Sequence, residues 1–254
     1  MKKFLFAPLF TILVAVSQVS QADTVGVWAG AGMWDWDISG SIRYQSTDAA
    51  NTIDMKDELG LQDDDSTTAF AIIEHPIPVI PNVKVFTTSI ESTGSGTISA
   101  TKVFGTGVDF SGDVNSSIEL DQTDLTLYWQ VWDTVVGIDL GLNFKVIDGK
   151  ITITETTGLL DSVTADFSAT LPMLYAGLEV KLPLTGLTVA ANASYIGYDG
   201  SGITEYQAYI RYDSAFVLGV EAGIRSFTFE LDDIDQSYGE LEFSGVYALL
   251  YVHF

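Results

Sequence analysis

The sequence predicts an all-β chain that closes into one antiparallel up-and-down barrel of about ten strands, within a range of about 8 to 12. Three observations carry that expectation. Apolar and polar residues alternate over long stretches, as side chains on opposite faces of a strand do. Turn signals cut the chain into an even number of such stretches. No helical repeat competes, and after the first residues no apolar run approaches the roughly 18 residues a spanning helix needs.

The clearest strand is Val135 to Val146, VVGIDLGLNFKV. It sets Val136, Ile138, Leu140, Leu142, Phe144 and Val146 on one face and Gly137, Asp139, Gly141, Asn143 and Lys145 on the other. Its alternation leaves open whether the apolar face meets a core or lipid. Before it, approximate strands cover 25–43, 67–75, 83–96 and 117–131. It continues as 135–147, followed by 167–181, 187–198, 203–213, 216–231 and 238–254.

Compact connections follow every second strand: 76–82 with its three prolines, 132–134, 183–186 and 213–215. Long polar ones, 44–66, 97–116 and 148–166, fall between them, although 199–202 and 232–237 are short. Short turns at one end and long loops at the other are what a membrane barrel has. The polar faces point the same way, being small or uncharged (Gln122, Asp124, Thr126, Tyr128 and Gln130 in the fourth strand), where a solvated sheet would collect Lys and Glu. Aromatics near strand ends would form interfacial girdles: Trp129, Trp132, Tyr212 and Phe216 by the short turns, Trp34, Trp36, Tyr195, Tyr198 and Phe227 towards the long loops.

Residues 1–22 carry Lys2 and Lys3, an apolar run and Ser20-Gln21-Ala22, the pattern of a cleaved secretory signal, leaving 23–254 as the barrel domain. The remaining chain has 9 basic and 34 acidic residues, a net charge of −25, and no cysteine. Such a field disfavours nucleic acid and anionic lipid surfaces as partners, so no nucleic acid is expected, and it favours cations.

Several stretches together resemble a poorly characterised family of small Gram-negative outer-membrane β-barrel proteins: Ile53–Leu61 (IDMKDELGL), Glu74–Asn82 (EHPIPVIPN), Thr123–Trp129 (TDLTLYW), Leu171–Ala176 (LPMLYA) and Leu182–Leu187 (LPLTGL). The resemblance implies a place in the cell outer membrane with both termini periplasmic, contact with outer-membrane lipids and lipopolysaccharide, and recognition of the last strand by the barrel-assembly machinery. Phe254 fits that C-terminal signal, while Val252 and Leu249 depart from it.

Catalysis is not expected. His75 and His253 are the only histidines, and both fall at the short-turn end, away from the loops where such barrels place their sites. No phosphate loop, zinc spacing or nucleophile elbow occurs. Asp63-Asp64-Asp65 and Asp232-Asp233-Ile234-Asp235 read as solvated acidic loops, though carboxylates there could bridge divalent ions to lipopolysaccharide phosphates; neither matches an EF-hand. No cofactor or metal is expected.

The sharpest expectation concerns the lumen. Asp124, Asp139, Asn143, Lys145, Glu179, Lys181, Glu205, Arg211, Glu221 and Arg225 should line it, and charges cut off from water persist there only if paired or hydrated. The function class is therefore a non-enzymatic barrel, structural or a narrow passive channel for small solutes. An outer-membrane enzyme acting on lipid or peptide, and a soluble periplasmic barrel with apolar faces lining a ligand site, remain as alternatives.

Overall fold

In a computed structural model of the chain, described over residues 25–105, 108–156, 162–214, 216–234 and 236–254, almost every residue lies in one antiparallel sheet. The signal-like segment 1–22 lies outside the described residues. The strands are β1 (Gly26–Arg43), the two-residue β2 (Ile53–Asp54), β3 (Asp64–Glu74), β4 (Asn82–Phe104), β5 (Val108–Asp133) and β6 (Val136–Glu155). β7 (Val163–Leu182), β8 (Leu187–Tyr198), β9 (Ser201–Asp213), β10 (Leu218–Ile234) and β11 (Ser237–His253) follow. Leaving β2 aside, each strand pairs with its neighbours in chain order, and β11 returns to β1 from Trp28↔His253 to Arg43↔Tyr238. Val27 and Phe254 complete the closure, each donating its N–H to the other's carbonyl at 3.1 and 3.0 Å. The sheet is thus a ten-stranded barrel without a free edge, the form in which a sheet can satisfy its backbone without water.

Along each wall the alternation keeps its phase while its chemistry inverts. In β6, Val136 to Val146 turn their apolar side chains outward and Gly137, Asp139, Gly141, Asn143 and Lys145 inward. From Ile147 on, the inward positions are Ile147, Ile151 and Ile153, and the outward ones Asp148, Lys150, Thr152 and Thr154. β5 repeats this: Leu125, Leu127, Trp129 and Val131 face out near the turns, but Ser117, Glu119 and Asp121 face out nearer the loops, over inward Val114, Ile118 and Leu120. At about 3.3 Å per residue and a tilt of about 40°, the apolar stretch of β6 spans about 25 Å, the height of a hydrocarbon band. The other half reads like a soluble barrel, with Ile38, Ile90, Ile98, Phe104, Phe110 and Phe243 among the residues filling its interior. The apolar interior expected of a ligand-binding soluble barrel is concentrated in the loop-end half, although Phe70, Ile72 and Leu249 also face inward nearer the turns.

That inversion corrects the three long loops. Most of 97–116 is the β4–β5 hairpin, paired up to Phe104↔Val108, and 148–166 is largely the ends of β6 and β7. In water the outward face need not be apolar, so Ser, Thr, Gly and Asp there imitate loop composition. Within 44–66, Ile53, Met55, Leu59 and Leu61 are buried. This segment seals the wall above the end of β3: Leu61 bridges to Gly94, Lys102 donates to the Glu58 carboxylate and the Thr52 carbonyl, and the Ser92 hydroxyl joins both backbone groups of Gln62. Beside it, Lys56 pairs with Asp63 at 2.6 Å.

The aromatic girdle is corrected in part. Trp129, Trp132, Tyr212 and Phe216 do face outward at the turn end, where a bulge between Gln130 and Trp132 brings Trp132 onto the outer face beside Ile138. Tyr195 is also outward, while Tyr198, on the inward phase of β8, is exposed at the hairpin tip. Trp34, Trp36 and Phe227 are not: they are 0–1% exposed and packed inside. The two tryptophans share a β1 face with Gly30 and Gly32, and small residues belong on the crowded side of a narrow barrel.

The two-solvent wall makes a position-dependent prediction within one strand. Leu140→Arg, in the middle of the outward apolar band of β6, should destabilise the barrel by about 2–4 kcal/mol in lipid vesicles, whereas Thr152→Arg on the same face should stay within about 0.5 kcal/mol. Urea unfolding of the two variants in vesicles measures the difference.

Candidate functional site: the polar lumen

Where the interior changes from polar to apolar, a layer of charged side chains crosses the barrel. Asp124 and Lys145 are register partners on β5 and β6, so period-two geometry alone puts both inside. Lys145 Nζ lies 2.8 Å from Asp124 Oδ2 and 2.6 Å from Glu205 Oε2, which reaches from β9. Glu205 holds its second partner with the other oxygen, accepting from Arg225 Nε of β10 at 2.7 Å. Arg225 Nη1 donates to Thr88 Oγ1 of β4 at 2.7 Å, and Asn143 Nδ2 donates to Asp124 Oδ1 at 2.6 Å. Gln122 Oε1 accepts from Lys145 at 3.2 Å and Arg225 at 3.4 Å.

Two cations and two carboxylates balance, and all are withdrawn from water: Lys145 is 0% and Arg225 1% exposed. Aromatic rings complete the shell, with the Arg225 guanidinium 4.4 Å from the Trp34 ring centre and 4.8 Å from that of Phe86. A charge in such a place is tolerated because every partner is present, so removing one partner costs more than the pair contributes net. Its four charged members come from four strands, β5, β6, β9 and β10, which makes the layer a cross-brace of the lumen.

Nearer the turns the lumen is lined by a second set. Arg211 on β9 donates to Glu221 Oε2 of β10 at 2.9 Å, and Tyr247 donates to Glu221 Oε1 at 2.8 Å. Lys181 pairs with Glu179 at 3.0 Å and Asp133 at 2.9 Å at the rim, its side chain half in solvent. Asp139 points inward from β6 and has no hydrogen bond or ion pair among the described residues. Thus Asp124, Asn143, Lys145, Glu205 and Arg225 form the central cluster, Arg211 and Glu221 a separate pair, Glu179 and Lys181 a rim pair, and Asp139 stands alone.

Sequence reasoning named none of Thr88, Glu74, Lys84, Tyr175 or Tyr247 as lumen residues. Tyr175 and Tyr247 could have been found from their alternation with Gly177 and Gly245, since a ring needs a neighbour without a side chain in so narrow a space.

Both histidines are occupied by structure. The His75 ring accepts from the Ile77 N–H through Nδ1 at 3.2 Å and lies 3.1 Å from the Pro81 carbonyl through Nε2, so it caps the proline turn. His253 sits 3.9 Å from Asp213. Neither has a serine or threonine hydroxyl as its hydrogen-bond partner among the described residues.

No protein-family model matches the chain, and no curated protein sequence matches it. Solved structures match in architecture. The outer membrane protease OmpT from Escherichia coli superposes with a TM-score of 0.52 at 9% identity, over 90% of this chain and 97% of that one. The translocator domain of autotransporter NalP from Neisseria meningitidis covers 93% and 92% at 14% identity and a TM-score of 0.40. The CymD monoaromatic hydrocarbon channel covers 89% and 69% at 9% identity and a TM-score of 0.31. The fold is that of Gram-negative outer-membrane β-barrels; the likeness does not extend to residues.

The central layer predicts strong coupling. Lys145→Met should destabilise the barrel by about 3–5 kcal/mol by stranding carboxylate charge. Adding Asp124→Asn, which restores charge balance, should recover part of that loss, and a double-mutant cycle by urea unfolding in vesicles reads the coupling directly.

Proposed function

We propose that the chain is an integral outer-membrane barrel without catalytic activity, serving as a closed structural element. One observation carries this reading: the buried, mutually paired Lys145, Asp124, Glu205 and Arg225 cross the lumen at the level where the apolar packing of the loop-end half begins. A solute crossing the barrel would have to break both, and breaking the first leaves charges unpaired in a low-dielectric interior. The apolar outward band supplies the case for lipid, because a belt about 25 Å high on a monomer would otherwise be an exposed patch far larger than soluble proteins carry.

In this reading the turn end and both termini face the periplasm, and the long β4–β5 and β6–β7 hairpins rise above the outer leaflet among lipopolysaccharide headgroups. The assembly machinery engages β11, whose outward Val246, Ala248, Leu250 and Val252 join the lipid-facing band. The protease named among the structural neighbours does not bring its activity here, since both histidines of this chain are committed at the opposite rim from the loops.

A narrow passive channel is the second reading, favoured by the charged, tyrosine-lined space on the turn side of the layer. Planar-bilayer recording separates the two. A closed barrel gives no steady current from wild type, from Lys145→Ala or from Arg225→Ala, because the apolar packing of the loop-end half still blocks the path. Steady conductance from wild type, altered in size by either single variant, would overturn the structural reading.

A further inference from the structure

The turn-end half of the lumen contains polar groups that the barrel itself does not use. On its inner wall, β5, β6 and β7 set Tyr128, Asp139 and Tyr175 side by side through the register pairs Tyr128↔Gly141, Gly141↔Tyr175 and Asp139↔Gly177. Glycines oppose each large group, so the rings and the carboxyl lie over bare backbone. The two tyrosine rings stand 5.9 Å apart at 51°. A Cβ placed on Gly177 would meet Tyr175 Oη at 3.2 Å and Asp139 Oδ2 at 3.3 Å, so hydroxyl and carboxylate bracket one point on the wall. Tyr175 is 9% exposed, yet its hydroxyl has no hydrogen-bond partner among the described residues, and neither does Asp139.

The surrounding charge is one-sided. Glu74 and Glu179 face the same end of the lumen as Asp139, and the ammonium of Lys181 is already held at the rim by Glu179 and Asp133. Glu74 is fixed beside the rings by the Tyr128 hydroxyl at 2.8 Å. Of the other cations on this side, Arg211 is held by Glu221 at 2.9 Å, and Lys84 faces inward from β4, two strands away from Asp139. An uncommitted carboxylate, an uncommitted hydroxyl and two aromatic faces together form a receptor for a cation. Among the described residues the carboxylates do not converge on a single point as a metal shell does. An extended organic cation can instead place one ammonium on Asp139 and Tyr175 and its chain along the rings.

We propose that this turn-end vestibule binds a protonated organic amine, with Asp139 as the charge partner, Tyr175 Oη as a hydrogen-bond acceptor and the Tyr128 and Tyr175 faces as the aromatic wall. Such a site exists whether or not the barrel conducts. Folded protein in detergent micelles, titrated calorimetrically with putrescine at about 0.15 M salt, where diffuse attraction is screened within about 8 Å, tests it. The expected result is saturable binding, weakened about tenfold or more by Asp139→Asn, weakened less by Tyr175→Phe, and unchanged by Glu119→Gln on the outer wall. Gel mobility before and after boiling verifies that each variant is folded. No saturable binding, equal affinity in Asp139→Asn, or equal displacement by magnesium and by the neutral butanediol would each overturn the proposal. Conductance of the same samples tests the structural reading separately.

Discussion

Everything in this barrel depends on closure of the sheet between its first and last strands. In hydrocarbon an unpaired N–H or C=O has no water to turn to, so a sheet with an edge cannot cross it. The exchange between Val27 and Phe254, continued by the long β1–β11 register, removes that edge. Once the sheet is closed, each residue has only two directions to point, and the identity of the solvent on each side determines the rest. Ten strands leave an interior that side chains can fill, which is why glycine and tyrosine alternate where the wall is tightest.

The second constraint is that a single wall serves two solvents. Phase cannot change without a bulge, so the same outward positions must be apolar beside lipid and polar above it, and the inward ones must do the reverse. The ionic layer sits at the changeover. Below it, polar lining needs partners or water; above it, Ile, Phe and Leu pack as they would in any soluble core. The layer joins the two regimes by satisfying its own charges, with the aromatic faces of Trp34 and Phe86 completing the shell around Arg225. This arrangement contributes rigidity to the cross-section more than it contributes net stability, since buried ion pairs roughly offset their desolvation.

The lipid-facing part of the fold was legible in the sequence because hydrocarbon imposes a strict rule on every outward position, and Val136 to Val146 obey it without exception. The loop-end hairpins were not, because strands in water have no such rule: Thr97, Asp113 and Asn115 look like loop residues although they alternate with the buried Ile98, Val114 and Ser116. Trp34 and Trp36 were assigned to the wrong face since two aromatics near a strand end fit a girdle or a core equally well until Gly30 and Gly32 fix the phase. Of the lumen, the inward set was readable from alternation, but the partners were not. Lys145 and Asp124 are neighbours in register, whereas Glu205 reaches Lys145 from β9, and no local pattern encodes a contact across the barrel.

The central claim is that the apolar outward face meets lipid and the buried tryptophans do not. Its most direct test is tryptophan fluorescence in vesicles of bromine-labelled lipid, using variants that each keep one of the five tryptophans. The account predicts strong quenching for the protein retaining Trp129 and none for that retaining Trp36. Quenching of Trp36, or a Trp129 signal untouched by brominated chains, would contradict it.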